Sequence, residues 1–299
     1  MTNVLGLILI DAPHSALNNA GKDAGDRTDN IVRAVSKYER TFFLLGGESS
    51  AADVCRRLCE YSLDSIKVYI GENLASKNER IFIGQAAEFT DLATDSLCVM
   101  IIENLNYEKT IKSCIPDDSF IRGSIPMTKA EVRSICVSKL DVESKSVCWD
   151  IGSGTGSVSV ELALRCFEGT VYAVDRNPDA AELTALNSRK FLCDNIIVKC
   201  GEASSEVDKL PRPDCVFIGG SGGILEKIIL TAINKNPEVK IVVTAVSLET
   251  IENCRKVLHR FEIKAEINQI AVTRTVKVGV HTMLRAENPI FIINTVRNK

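Results

Sequence analysis

The stretch Val147-Cys-Trp-Asp-Ile-Gly-Ser-Gly-Thr-Gly-Ser157 decides the fold, because an apolar run of strand length leads directly into a glycine-rich turn. Its three glycines allow a sharp turn and a close approach of the backbone to a ligand. The dinucleotide-binding pattern G-x-G-x-x-G needs glycine at position 157, where this chain has Ser157. An acidic residue before G-x-G-x-G, here Asp150, is instead typical of sites for ligands such as S-adenosylmethionine. Taken alone, the loop also fits a structural turn.

Length and charge narrow the class of protein. The chain has 299 residues, enough for two medium-sized domains, and a formal net charge of -3. A nucleic-acid-binding protein usually carries a basic domain or stripe, so this charge balance disfavours a nucleic-acid partner. The apolar run at residues 5–10 is too short to span a bilayer and lacks the basic segment of a signal peptide. We therefore expect a cytoplasmic protein with no membrane partner.

The eleven cysteines lack the paired short spacings of a zinc site. Cys55 and Cys59 lie one helical turn apart, but no second pair of Cys or His residues is near them in the sequence. This spacing favours packing on a helix face over metal binding. We expect free thiols and no bound metal.

A polar segment divides the chain into two domains. Residues 1–108 alternate between strand and helix signals, and residues 109–124 are polar and contain Pro116, which prevents a smooth helix. We therefore predict a smaller α/β subdomain at 1–108, a linker at 109–124 and a larger domain at 125–299.

In the smaller subdomain, three apolar runs predict strands at residues 41–45, 66–70 and 96–102 of a mixed or parallel sheet. Ser49 or Ser50 is predicted to cap a helix that continues to about Tyr61. Residues 12–27 are rich in Asn, Asp, Gly and Ala, and this composition predicts a long loop.

The larger domain alternates regularly between strands and helices from residue 147 onward. Strands are predicted at 147–151, 171–174, 196–200, 215–218, 241–245 and near 263–274 and 289–296. Helices are predicted after Ser157, after Pro178, and near 222–235 and 248–260. The last two strands follow each other without a helix, which indicates an antiparallel pair at the sheet edge. The predicted fold is α/β, with a Rossmann-like doubly wound sheet of about seven strands and a closing antiparallel hairpin.

This domain opens with a helix-start signal. Thr128 lies three residues before Glu131, the spacing of a capping box. We therefore predict that Thr128 is the N-cap of a helix ending near Lys139.

Two further positions complete a predicted ligand site. Asp175 lies nineteen residues after Gly156, at the end of the next strand, where an open parallel sheet binds its ligand. A carboxylate there can accept hydrogen bonds from both ribose hydroxyls, although Asp175 also fits a cap of the turn at Asn177-Pro178. In Gly201-Glu-Ala203, after the following strand, the small residue leaves room for an adenine ring.

Longer motifs extend across residues 115–298. They are Phe120-Ile-Arg-Gly123, Ile125-Pro-Met-Thr-Lys-Ala-Glu-Val-Arg133, Trp149-Asp-Ile-Gly-Ser-Gly-Thr-Gly-Ser-Val-Ser-Val-Glu161, Tyr172-Ala-Val-Asp-Arg-Asn-Pro178, Val216-Phe-Ile-Gly-Gly-Ser-Gly-Gly223, His281-Thr-Met-Leu-Arg-Ala286 and Asn288-Pro-Ile290. Together they resemble the decarboxylating precorrin-6B carbon-15 methyltransferases of cobalamin biosynthesis. That family has a class I S-adenosylmethionine-dependent methyltransferase fold.

The resemblance implies S-adenosylmethionine as cofactor and a set of residues that bind it. Carried over motif by motif, the cofactor contacts are Thr128, Gly152, Ser153, Gly154, Thr155, Gly156, Asp175 and Ala203. The family usually has cysteine at the position of Ser153 and often glutamate at that of Asp175. Both differences keep the size or the charge of the side chain.

The reaction implied is methylation of carbon 15 of the tetrapyrrole together with loss of carbon dioxide from the ring C acetate. An enamine-like carbon is already nucleophilic, so the resemblance assigns no catalytic base. Because the substrate carries many carboxylates, we expect basic and backbone donors in its pocket. The candidates are Arg122, Lys129, Arg133, Ser221, Gly222, Arg274, His281 and Arg285. Each basic residue also fits a solvated surface group, and His281 a structural role.

The smaller subdomain carries other motifs. They are Leu44-Leu-Gly-Gly-Glu-Ser-Ser-Ala-Ala52, Val68-Tyr-Ile-Gly-Glu-Asn-Leu74, Asn78-Glu-Arg-Ile81 and Val99-Met-Ile-Ile-Glu-Asn104. They resemble the C-terminal subdomain of the tetrapyrrole methylases of the precorrin carbon-5 type. Members of that family have a preceding subdomain with a Gly-x-Gly-Pro-Gly loop, and Met1 falls where that subdomain would already have ended. A remnant, a docking module and half of a split enzyme are all consistent with this resemblance.

Three other functions fit parts of the sequence. They are a non-catalytic assembly partner, methylation of another small molecule or of RNA, and a dehydrogenase, the last disfavoured by Ser157. The resemblance also implies a homo-oligomer and association with other corrin-pathway enzymes.

Overall fold

The computed structural model describes residues 8–11, 30–45, 50–95 and 98–296. The chain divides into unit 1, Met1–Ile111 with Ser188–Asn195, and unit 2, Lys112–Asn187 with Ile196–Lys299. The change of unit after Ile111 falls inside the segment predicted as a linker. The loop predicted at residues 12–27 lies outside the described residues.

Unit 1 contains a five-stranded mixed sheet with strand order β1-β2-β5-β3-β4. Its elements are β1 (Ile8–Asp11), α1 (Ile31–Lys37), β2 (Arg40–Leu45), α2 (Ala51–Glu60), β3 (Lys67–Glu72), β4 (Arg80–Gln85) and β5 (Cys98–Glu103). β1 and β2 are parallel, and the other neighbours are antiparallel. The three predicted strands are present as β2, β3 and β5, and the predicted Ser50 cap of α2 is confirmed by a capping box with Asp53.

The segment Ser188–Asn195 belongs to unit 1, whereas the predicted boundaries placed it in the second domain. In unit 1, the buried Asp194 carboxylate accepts hydrogen bonds from the backbone N–H groups of Val32 and Arg33, each at 2.9 Å. This contact groups the segment with residues far from it in sequence, a relation that local periodicity does not reveal.

Unit 2 contains a seven-stranded sheet and a separate two-stranded sheet. Its elements are α3 (Ala130–Leu140), β6 (Val147–Ile151), α4 (Ser157–Arg165), β7 (Thr170–Asp175), α5 (Pro178–Lys190), β8 (Ile196–Cys200), α6 (Ala203–Glu206), β9 (Cys215–Ile218), α7 (Leu225–Lys235), β10 (Lys240–Ala245), α8 (Leu248–Arg260), β11 (Ala265–Ile270), β12 (Thr273–Val278), β13 (His281–Ala286) and β14 (Ile290–Thr295).

The large sheet has the order β11-β14-β10-β9-β6-β7-β8. The five strands from β10 to β8 are parallel, whereas β14 runs antiparallel to β10 and β11. From β6 the chain continues to β7 and β8 on one side and returns to β9 and β10 on the other. A ligand crevice forms at such a switch point, outside the carboxyl ends of the strands. The predicted Rossmann-like doubly wound sheet with an antiparallel edge pair is confirmed.

Continuous apolar strands form the core of this sheet, as expected for strands covered on both faces. Trp149 on β6 and Val216 on β9 are fully buried with Ile228 of α7. The Trp149 indole N–H donates to the Pro211 carbonyl oxygen over 3.1 Å, which satisfies the polar atom of this large buried side chain. No helix among the described residues has the length and apolar character needed to cross a bilayer.

The strand predicted near 263–274 is shorter in the structure, where β11 covers Ala265–Ile270. It ends at Ile270, and residues 273–278 and 281–286 pair with each other as a separate antiparallel hairpin. Gly279, with φ of +61°, provides the left-handed residue of the tight turn. Most of the hairpin is exposed, so its strands lack the regular buried face from which a strand is recognised in sequence.

Candidate functional site

A cavity of about 440 Å³ lies at the carboxyl ends of the parallel strands of unit 2. The predicted site residues in its wall are Thr128, Gly152, Ser153, Gly154, Asp175, Ala203, Ser221 and Gly222. They come from segments more than 90 residues apart in sequence, and the switch point between β6 and β9 brings them together. Thr155 and Gly156 are not among the lining residues.

The glycine loop is held in a backbone conformation that favours glycine. Gly152 and Gly154 have φ of +77° and +56°, in the left-handed region. A Cβ atom on Gly152 would lie 2.8 Å from the backbone nitrogen of Gly220, and one on Gly154 would lie 2.9 Å from the Pro126 carbonyl oxygen. The sequence predicted a close approach of ligand to backbone; the structure adds that neighbouring backbone itself requires the glycines.

Asp175 forms part of the turn and lines the cavity. One carboxylate oxygen accepts from the Gly154 N–H and the other from the Asn177 N–H, each over 2.9 Å. The alternative of a turn cap is therefore correct, but it leaves acceptor capacity, because an ionised carboxylate has about four lone-pair sites. Asp175 therefore couples the glycine loop to the end of β7 and can still accept hydrogen bonds from a ligand.

The two hydroxyl residues of the loop face different surroundings. The Ser153 hydroxyl lies 3.1 Å from the Thr184 hydroxyl, which also contacts the Gly154 carbonyl oxygen at 3.2 Å. Thr155 is 1% exposed, and its carbonyl oxygen accepts a hydrogen bond from Asn187. The loop is thus tied to α5 behind the cavity wall.

The sequence reasoning missed two charged residues of the wall. The charged lining residues are Asp175, Arg176 and Glu202, of which only Asp175 was predicted. Arg176 directly follows β7, and Glu202 lies between β8 and Ala203. Their position after strand ends was a usable signal, but single residues at strand ends are too common to select without the three-dimensional arrangement.

The predicted basic residues and His281 do not line this cavity. Arg122 pairs with Asp118 at 2.8 Å, Lys129 with Asp117 at 3.9 Å, and Arg285 with Glu287 at 3.7 Å. Arg274 pairs with Glu131 and, at 3.8 Å, with Asp117. His281 begins β13 on the exposed hairpin. Arg274, His281 and Arg285 therefore all belong to the hairpin that the sequence did not predict.

Arg133 is fully buried and has a structural role. Its Nε donates to Glu161 over 2.6 Å, and its Nη1 donates to the Thr128 carbonyl oxygen over 2.7 Å. A second Nη contact reaches the carbonyl oxygen of Ile115. Arg133 thereby fixes the backbone of Thr128, which lines the cavity, instead of presenting its own guanidinium to a ligand.

The capping box predicted for Thr128 is wrong. α3 begins at Ala130 after Lys129 in the cap position, and the first free N–H, that of Ala130, donates to Asp117 over 3.0 Å. A carboxylate from an earlier segment thus replaces the local cap, which leaves Thr128 in the cavity wall.

Comparison with known proteins identifies the family. A family model described as a precorrin methyltransferase domain matches residues 119–297, more than half of the chain. The chain belongs to the precorrin methyltransferase domain family. The matched range lies outside residues 1–108, so the carbon-5 methylase resemblance of that subdomain stays a prediction.

Named relatives cover the same part of the chain. The probable cobalt-precorrin-6B C(15)-methyltransferase (decarboxylating) of Pyrobaculum calidifontis is 41% identical over 182 residues, which are 60% of this chain and 93% of the relative. The cobalt-precorrin-6B C(15)-methyltransferase (decarboxylating) of Salmonella typhimurium is 35% identical over 180 residues, 59% of this chain and 93% of the relative. The match therefore spans nearly the full length of both relatives.

Solved structures match the same fold. Precorrin 8W decarboxylase of Methanobacterium thermoautotrophicum is 34% identical with a TM-score of 0.58, covering 61% of this chain and all of the other. Precorrin-6Y C5,15-methyltransferase of Geobacter metallireducens is 35% identical with a TM-score of 0.59, covering 62% of this chain and 97% of the other. The class I methyltransferase fold expected of the precorrin methyltransferase domain is confirmed.

One buried acid lies directly before the glycine loop. Asp150 is fully buried, and the Ser159 hydroxyl donates to one of its carboxylate oxygens. The other oxygen has no hydrogen-bond partner among the described residues. Burial raises the pKa of Asp150 to about 7, and the nearby Asp175 carboxylate adds to the effect. In this chain, therefore, the carboxyl group of Asp150 near the end of β6 has a pKa close to neutral pH.

We predict that the Arg133–Glu161 pair stabilises unit 2 as a pair. Arg133→Met leaves a buried carboxylate uncompensated and should lower the free energy of unfolding by about 3–5 kcal/mol, whereas Arg133→Met with Glu161→Leu should cost less. Urea unfolding followed by fluorescence of Trp149, the single tryptophan, measures this in unit 2. Arg122→Ala, which removes an exposed pair, is the control and should change stability by about 0.5 kcal/mol or less. A double variant as unstable as the single one would contradict the pairing.

We also predict a pH dependence of stability due to Asp150. Its folded pKa of about 7 exceeds the ordinary value of 3.8, so the unfolded state loses the proton first. As pH rises from the unfolded pKa of 3.8 to the folded pKa of about 7, the free energy of unfolding falls by on the order of 4 kcal/mol. Above about pH 7 it levels off. Asp150→Asn should lack this component, so the difference between the two unfolding free energies should change between about pH 5 and about pH 8. Parallel pH profiles for wild type and variant would be the contrary result.

Proposed function

We propose that the protein transfers a methyl group from S-adenosylmethionine to carbon 15 of (cobalt-)precorrin-6B and releases carbon dioxide from the ring C acetate, in cobalamin biosynthesis. The observation that carries the proposal is the cavity at the strand switch point, in whose wall the glycine loop and Asp175 meet. Relatives named for this reaction match about 60% of the chain, the part that contains this cavity.

The residues present fit the cofactor. A cavity of about 440 Å³ lies within the range of about 300–1,000 Å³ that is typical of small-molecule sites. A Cβ built on the lining residue Gly220 meets no atom within 4 Å, so the wall is open there. The carboxylates of Asp175 and Glu202 favour a cationic ligand. S-adenosylmethionine, when bound, supplies an electrophilic methyl group on a sulfonium centre.

Each part of the cofactor has a proposed partner in the wall. Asp175 accepts hydrogen bonds from the ribose hydroxyls through its remaining lone pairs. Ala203 leaves room for the adenine ring, and the Glu202 carboxylate can accept from its exocyclic amine. Thr128 and the loop Gly152–Gly154 hold the methionine end, while Thr155 and Gly156 act behind the wall by shaping the turn.

The chain holds the substrate in position. The backbone N–H groups of Ser221 and Gly222 are proposed donors to a substrate carboxylate, because both residues line the cavity after β9. An electron-rich carbon requires no strong base, and no histidine of the described chain lines the cavity. Orientation of the two reactants supplies the acceleration. Substrate contacts by Arg122, Lys129, Arg274, His281 and Arg285 stay predictions.

The first 108 residues have a separate proposed role. Their carbon-5 methylase motifs support a remnant, a docking module or half of a split enzyme. A homo-oligomer and association with other corrin-pathway enzymes likewise stay predictions.

The reaction itself can be tested directly. With methyl-labelled S-adenosylmethionine and cobalt-precorrin-6B, the full chain should release carbon dioxide and transfer the label to the tetrapyrrole. A chain that binds the cofactor product S-adenosylhomocysteine but does not turn over would contradict the proposed reaction. Binding of NADH without S-adenosylhomocysteine would point to a dehydrogenase.

The ribose contact is tested by calorimetry with S-adenosylhomocysteine. Asp175→Ala should weaken binding by about tenfold or more, because hydrogen bonds to a charged group contribute about 1.5–3 kcal/mol each. Asp175→Glu, which keeps the carboxylate, should retain most of the affinity. Asp179→Ala, at an exposed aspartate in the first turn of α5 and outside the cavity wall, is the control. Equal affinity of wild type and Asp175→Ala would refute the ribose assignment.

A further inference from the structure

Arg176 is the positively charged residue in the wall of the cavity. It follows Asp175 directly at the end of β7, and the other charged lining residues, Asp175 and Glu202, are acidic. An acidic wall suits a cationic cofactor but repels a substrate that carries several carboxylates. Among the lining residues that the structure describes, Arg176 is therefore the side chain able to compensate an anionic group of a second ligand.

The guanidinium of Arg176 reaches from the end of β7 to the loop after β9. Its Nη1 lies 3.6 Å from the position that a Cβ atom on Gly222 would occupy, although the two residues follow different strands. Gly222 and Gly223 have φ of +55° and +88°, and a Cβ on Gly223 would meet no atom within 4 Å. Arg176 thus lies against an open glycine loop, with space beside it for a ligand group.

Arg176 has its donors available. It is exposed and forms no hydrogen bond or ion pair with another residue in the described part of the chain. The five basic residues predicted from the motifs differ in this respect, because Asp or Glu side chains pair with each of them. A planar guanidinium with free donors binds a carboxylate in bidentate fashion.

We propose that Arg176 binds a carboxylate of the tetrapyrrole substrate, together with the loop Ser221–Gly223, and so determines specificity for a polyanionic acceptor. The inference rests on the proposed function and adds to it the residue that selects the substrate. An adenine ring stacked on the guanidinium is the competing arrangement, because Asp175 is the neighbouring residue. The two arrangements differ in which ligand loses affinity when the charge is removed.

The test compares wild type with Arg176→Gln and Arg176→Lys in the full chain. Arg176→Gln should raise KM for cobalt-precorrin-6B by about tenfold to hundredfold, the loss expected for a charge-assisted hydrogen bond. The kcat at saturating substrate and the Kd for S-adenosylhomocysteine should stay within about twofold of wild type. Arg176→Lys should restore part of the lost affinity, because it keeps the charge without the planar fork.

Two further measurements separate this role from general effects. Arg255→Gln, at an exposed arginine of α8 outside the cavity wall, is the matched control and should leave KM unchanged. Added salt should raise KM of wild type more than that of Arg176→Gln, because salt screens an exposed charge interaction.

Several results would overturn the inference. A weakened Kd for S-adenosylhomocysteine with unchanged KM for the tetrapyrrole would assign Arg176 to the adenine ring. Equal values of both constants in wild type and Arg176→Gln would leave it a solvated surface residue. In both cases wild-type turnover would still support the proposed function. Failure of the proposed function is recognised separately, by the absence of methyl transfer in wild type, and it would remove this inference as well.

Discussion

The contact between the ends of β6 and β9 is the constraint on which the site depends. At Gly152 and Gly220 the two backbones come so close that a Cβ on Gly152 would lie 2.8 Å from Gly220 nitrogen. Backbone pairing continues past the strands, with the Gly219 N–H donating to the Ile151 carbonyl oxygen over 3.0 Å. The strand ends are thus held together where the chain order reverses, and the cavity opens directly above them.

The cavity wall separates two kinds of electrostatic surroundings. Asp175 and Glu202 make one part acidic, which suits a sulfonium and an ammonium group. Among the described residues of the wall, Arg176 is the cationic side chain, and it lies toward the loop after β9. Under the proposed function, the acidic groups attract the cationic donor and Arg176 attracts the polyanionic acceptor.

Strongly local patterns were predictable from sequence. The run from Val147 to Ser157 combines a buried strand, a turn and a helix start within one short segment, so its structure and position follow from neighbouring residues. Regular alternation placed the parallel strands for the same reason. Asp175 was predictable because the end of a strand in such a sheet has a known relation to the ligand crevice.

Features that depend on distant residues were not predictable. Asp117, and not Thr128, accepts the hydrogen bond from the first backbone N–H of α3. Glu161 accepts a hydrogen bond from the buried guanidinium of Arg133. The capping-box pattern at Thr128 is present in the sequence, but a carboxylate from another segment replaces it. Arg133 was a substrate candidate because it lies near the family motifs, and its partner Glu161 is 28 residues away in sequence. Arg176 was missed for the opposite reason. It has no partner residue in the described part of the chain, and its importance comes only from the cavity around it.

The buried network around Arg133 also defines where the methyltransferase unit begins. Arg133 binds the carbonyl oxygen of Ile115, and Glu161 accepts the Ile115 N–H over 3.1 Å. Asp117 lies between these contacts and the start of α3. The part of the predicted linker that contains Ile115 and Asp117 is therefore packed into unit 2 and is not a flexible linker. A chain truncated to begin at α3 would keep every strand of unit 2. It would nevertheless lose the segment that holds Arg133 in place and, through Arg133, the cavity wall at Thr128.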